Sequence, residues 1–157
     1  MKHNFAHAAI LAIAICILMM LSTHAQAAQC SQGSAAGNWA YTYTGTVFTP
    51  APYPVAAVGH FHQDFVGNVS GGQTHTLAGQ TEAEDISGTA TVNHDCTGSA
   101  TIRVLVNGQL LRTATLDLVY DSDGNHVRMI FTSLVLADGT QVPAVITVDG
   151  HRLVSRQ

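Results

Sequence analysis

The sequence predicts an all-β protein: an eight-stranded antiparallel up-and-down barrel that follows an N-terminal signal peptide. Three observations lead there. From Gly37 onward apolar and polar residues alternate with a period of two, which is the signature of a strand with one wet and one buried face. Clusters of Gly, Asn, Asp and Pro punctuate that alternation at short, regular intervals, and no segment after the leader carries the helical period. A two-sheet sandwich would satisfy the same pattern. The barrel is preferred because sequential hairpins can close on themselves and leave no raw edge.

At the amino terminus Lys2 and His3 precede an apolar run at 8–21, too short to span a bilayer comfortably but suited to a secretory leader. Ala25-Gln26-Ala27 fits a signal-peptidase site, so residues 1–27 are read as the signal peptide and 28–157 as a single domain. A retained anchor is the alternative, but no stop-transfer flank follows, and Cys16 lacks a lipobox. The expected location is secreted or periplasmic, with no stable membrane anchor after cleavage. Beyond the leader, five arginines and no lysine stand against ten acids, a balance of −5 that provides no basic stripe for nucleic acid. Cys30 and Cys96 remain, and in an exported chain they are expected to form one disulfide.

The strands follow in order. Residues 28–36 are small and polar, an extended lead-in pinned by Cys30. Gly37-Asn38-Trp39 opens the first strand, whose aromatic face carries Trp39, Tyr41 and Tyr43. Three prolines at 50, 52 and 54 predict an irregular lip. Residues 55–63 and 69–79 form the next hairpin, and 80–85 an acidic loop. The hairpin of 86–93 and 99–105 reverses through Asn93-His94-Asp95-Cys96-Thr97-Gly98, and it is the unit that the remainder of the chain repeats. Asn107-Gly108 is a type I′ turn signal leading into 109–120. Strands at 126–136 and 141–148 follow, and Asp149-Gly150 is expected to interrupt before a terminal piece at 151–156.

Gly37-Asn38-Trp39, with Arg152 or Arg156 near the end, resembles the calycin arrangement of lipocalins and avidins. That resemblance implies a G-x-W motif closing one end of the barrel, with a late arginine packed over the tryptophan. Gly88–Gly98, together with Gly37–Tyr43, Val58-Gly59 and 67–71, is similar to a group of small exported bacterial proteins of unassigned function with a G-T-Y-T-V-N-x-D-C-T-G pattern. Ala90 stands where that pattern has tyrosine, and Phe65-Val66 where it has Gly-Asn. A looser likeness is to allene oxide cyclase and dirigent barrels, which enclose reactive apolar molecules without a cofactor.

Candidate ligand-binding residues are Trp39, Tyr41, Tyr43, Arg112 and Tyr120. Arg112 interrupts the apolar stripe Leu110, Ala114, Leu116, Leu118 and Tyr120. A charge there must be paired or reach the rim, because an isolated buried charge is prohibitively costly. It could receive the carboxylate or other polar head of a ligand, or form an internal ion pair. The tyrosines could stack against that ligand, or serve as core together with Trp39. His60 and His62 are weak metal candidates: they share one strand face, are expected to look outward opposite Phe61, and would need a partner such as His75. Glu82, Glu84 and Asp85 read as a solvated loop. No G-x-S-x-G elbow supports hydrolysis, and no catalytic residue or cofactor is expected.

The leading functional reading is a non-enzymatic exported barrel binding a small apolar or amphipathic molecule in its lumen. The alternatives are a cofactor-free cyclase or isomerase of the allene-oxide-cyclase or dirigent type, and a structural domain with a filled interior.

Overall fold

In the computed structural model, residues 30–153 are described, and the leader at 1–27 and Arg156 lie outside them. Eight antiparallel strands run β1 Gly37–Phe48, β2 Pro52–Gln63, β3 Asn68–Leu77, β4 Gln80–Val92, β5 Thr97–Val106, β6 Gln109–Tyr120, β7 His126–Leu136 and β8 Ala144–Arg152. Each pairs with its sequence neighbours, and β8 returns to β1 through the register Trp39↔Arg152 to Val47↔Ala144, so the sheet is a closed barrel and not a sandwich. No helix among the described residues is long and apolar enough to cross a membrane.

Alternation decides what fills the interior. Trp39, Tyr41, Tyr43 and Val47 of β1, Ala114, Leu116, Leu118 and Tyr120 of β6, and Ile146 and Val148 of β8 are all buried at every second position. Two register shifts, at Val104/Leu105 and Thr115/Leu116, bend the wall on either side of β6. Gly59 faces inward under Tyr41. A Cβ there would stand 2.7 Å from the tyrosine hydroxyl and 2.7 Å from the Gly72 carbonyl oxygen, so only glycine lets the ring lie against β2.

Four sequence expectations are corrected. The lead-in contains one helical turn, α1 Gln32–Ala35, closed by a Ser31–Ser34 capping box. Its Gln32 side chain donates to the Ala90 carbonyl at 2.9 Å and accepts from the Val92 N–H at 3.0 Å, docking α1 under β4. Pro52 and Pro54 belong to β2. They lie beyond Val55↔Leu77, the last rung towards β3, where a missing N–H removes no ladder bond. The acidic segment is strand, because Ala78 (φ 49°) and Gly79 (φ 86°) make a two-residue turn that starts β4 at Gln80. Finally, β8 begins at Ala144 and runs on through Asp149-Gly150, since Gly150 turns inward, where a Cβ would meet Val127 at 2.9 Å.

One end of the barrel is plugged. Cys30 and Cys96 form the expected disulfide, with Cα atoms 4.9 Å apart, and hold α1 against the turn between β4 and β5. Trp39 is fully buried above α1 and donates Nε1–H to the Ala35 carbonyl at 3.0 Å. Arg152 lies over its ring at 4.8 Å and donates to the carbonyls of Ala36 (2.6 Å), Gly124 (3.1 Å) and Ser34. Of the two arginines that the calycin likeness offered, Arg152 takes the position.

Candidate functional site: the barrel lumen

The interior is neither wide open nor fully packed. Above the Trp39 plug lies an apolar void of about 70 Å³, lined by Val69, Ile86, Ala90, Ala100, Ala114 and Leu116 together with Met129 and Phe131. Small residues at 90, 100 and 114 create it, since neighbouring strands place alanine where bulkier side chains would meet at the axis. An engineered apolar cavity of about 150 Å³ holds benzene, so the void as it stands accepts only a very small guest. Met129 has three rotatable bonds and is half-buried, so its movement is the simplest route to a larger one.

One wall of the lumen is polar. Arg112 donates Nη1–H to Glu84 Oε1 at 2.7 Å and Nη2–H to Oε2 at 2.6 Å, a two-point fork. Gln73 donates to Glu84 Oε2 at 2.6 Å and accepts the Tyr41 hydroxyl at 2.6 Å, while its amide lies 3.5 Å from the Tyr43 hydroxyl. His75 Nδ1 stands 3.4 Å from Glu84 Oε1. Glu84 is a correction to the solvated-loop reading: it is buried at 4 % exposure because it shares the strand parity of Ile86 and Ala90.

This chain of contacts fixes the charges. Burial alone would raise the Glu84 carboxyl, but hydrogen bonds from His75, Arg112 and Gln73, with the Arg112 charge, hold it down to about 2. Burial raises the phenols instead, Tyr41 strongly and Tyr43 to about 12, so both remain neutral hydrogen-bonding groups at ordinary pH. Tyr120, towards the plugged end, is raised to about 12 by burial.

Of the residues singled out from sequence, Tyr41, Tyr43, Arg112 and Tyr120 line the void. Trp39 does not; it forms the floor, stacked on Phe61 at 6.0 Å and edge-on to Tyr120 at 5.7 Å. His60 and His62 look outward, and His62 Nδ1 meets Asn38 Oδ1 at 3.0 Å. His75 points inward to Glu84, so the three imidazoles do not converge on one ion. Sequence reasoning also passed over Gln63, 1 % exposed on the void's wall, whose Nε2 is the buried side-chain donor without a partner among the described residues. Its signal was parity, two residues past the inward Phe61.

The fold has solved counterparts. A redesigned β-barrel, mFAP1, bound to DFHBI, is 19% identical with a TM-score of 0.51, over 78% of this chain and 98% of that one. EF1p2_mFAP2b bound to DFHBI is 15% identical with a TM-score of 0.54, over 79% and 100%. The S-type phycobiliprotein lyase CPES from Guillardia theta is 8% identical with a TM-score of 0.45, over 80% and 92%. No protein-family model and no curated protein matches the sequence.

Proposed function

We propose that this is an exported binding protein whose barrel takes one small, mainly apolar molecule into its lumen and fixes it by a single neutral polar atom. The observation that carries this reading is the apolar void with Gln63, whose buried amide donor is unpartnered among the described residues, in its wall. A buried donor without an acceptor costs about 1–3 kcal/mol, and a guest carbonyl or ether oxygen would recover that cost. Similar barrels, mFAP1 and EF1p2_mFAP2b, are each bound to the small molecule DFHBI, which supports a small-molecule partner. The leader-like amino terminus and the Cys30–Cys96 disulfide support export.

The Arg112 role narrows under this reading. Its fork is occupied by Glu84, so an incoming carboxylate would meet a like charge within the same cluster. Arg112 therefore contributes by holding Glu84, and through Gln73 it positions Tyr41 and Tyr43 at the void. A carboxylate held ionised and phenols held neutral also favour binding over a proton-moving cyclase.

The test is a titration of the untagged protein with acetone and with cyclopropane, followed by methyl NMR. Acetone is expected to shift Ala100, Ala114 and Met129 signals saturably. Gln63→Leu is expected to weaken it about tenfold, the equivalent of one ordinary hydrogen bond of about 1.4 kcal/mol, and to leave cyclopropane unchanged. Failure of both molecules to enter, or shifts confined to the outer wall, would overturn the reading.

A further inference from the structure

Outside the barrel, near the plugged end, β7 and β8 bring His126 and His151 directly opposite each other, with Asp149 two residues before His151 on the same outer face. Two imidazoles on one strand stand about 7 Å apart at the backbone and converge poorly. A cross-strand pair removes that obstacle. Here the rings stack at 4.3 Å, 3° from parallel. Asp149 offers Oδ2 to His126 Nε2 at 2.8 Å and Oδ1 to His151 Nε2 at 3.0 Å. One ligand atom from each of the three lies within 4.8 Å of the others.

A second observation concerns the far side of the His126 ring. Its Nδ1 lies 3.1 Å from Asp121 Oδ2, and Arg128 grips the other Asp121 oxygen at 2.7 Å. A neutral imidazole has one N–H and one lone pair, so it can donate to only one of the two carboxylates around it. If Nδ1–H serves Asp121, the Nε2 lone pair faces the Asp149 carboxylate, and two electron-rich atoms meet at 2.8 Å. A second proton on the ring resolves the conflict, and so does a cation taken up by Nε2 and Oδ2 as the two atoms part. Metal-ligating histidines characteristically donate their other ring N–H to a carboxylate, and Asp121 stands in that place. Two aspartates against Arg128 leave the group net negative, and imidazole with carboxylate suits a borderline divalent ion.

We propose that His126, His151 and Asp149 bind a divalent transition-metal ion of the zinc type on the outer wall, with Asp121 as the orienting partner of His126. A tetrahedral zinc site with bonds of about 2.1 Å holds its ligand atoms about 3.4 Å apart, so the widest separation, within 4.8 Å, must tighten while the 2.8 and 3.0 Å contacts of Asp149 open. The His151 side chain, 66% exposed, is free to turn inward and do so. Water would complete the coordination. The site is independent of the lumen.

The experiment is calorimetric titration of the untagged protein with Zn²⁺ alone, with circular dichroism to confirm that each variant keeps its strand signal. The unaltered chain is expected to take up one ion saturably in the micromolar range. His151→Ala and His126→Ala should each weaken uptake at least about tenfold, and Asp121→Asn about 10–100-fold, the range found for orienting partners. The double change His60→Ala with His62→Ala should leave it unchanged. Absence of saturable uptake, or full affinity surviving His151→Ala in a folded protein, would overturn the proposal.

Discussion

Arg112 and Glu84 are joined by two parallel hydrogen bonds, 2.7 and 2.6 Å, inside the barrel, with side chains 11% and 1% exposed. Neither charge has enough water to stand alone, so the pair behaves as one unit. Arg112→Met by itself is expected to cost about 3–5 kcal/mol, because it strands a buried carboxylate. The double change Arg112→Met with Glu84→Leu should recover most of that, since apolar replacement of a whole buried pair is often neutral or stabilising. Urea midpoints of the three proteins check it; equal losses in single and double variants would contradict it.

The same pair sets an acid limit. Glu84 is held at about 2 in the fold against an ordinary 4.5, so its contribution is present above about 4.5 and is lost as pH falls towards 2. A difference of that size corresponds to about 3 kcal/mol. The double variant should lack this component, so its stability curve between pH 5 and pH 2 is expected to fall less steeply than that of the parent by roughly this amount. Urea unfolding at stepped pH measures it.

Gln63 gives a stability prediction with the opposite sign. Gln63→Leu removes an unpartnered buried donor and keeps the volume, so it is expected to stabilise the empty protein by about 1–3 kcal/mol. A thermal scan showing destabilisation would mean that the amide is already satisfied.

The Cys30–Cys96 bridge spans 66 residues. Cys30→Ser with Cys96→Ser should cost about 4 kcal/mol in the chain-entropy account. Loss of the bridge also frees α1, so amide exchange at residues 31–36 and at the Trp39 indole should accelerate more than exchange in β5 or β6.

Arg152 is expected to matter through geometry more than charge. Arg152→Lys keeps the charge but cannot reach the Ala36, Gly124 and Ser34 carbonyls together while covering Trp39. A loss of about 2–3 kcal/mol with a changed tryptophan emission is the expected result.

The strand count, the outward His60 and His62 and the inward face of β6 were legible along the chain, each written into neighbouring residues as a two-residue period or a local turn. The two cysteines beyond the leader predicted the disulfide, whereas the same pattern fitted a sandwich as well as a barrel until β8 was seen to pair with β1. The sequence also named Tyr41, Tyr43, Arg112 and Tyr120 as lumen residues by parity with apolar neighbours. Closure alone decided the partners. Glu84 looked like surface because acids flank it, and only the ring of strands carries it round to Arg112, 28 positions away. His126 and His151 met for the same reason, across the β7–β8 register and beyond any sequence motif. Periodicity fixes which way a side chain points, whereas the curvature of a closed sheet fixes what it finds there.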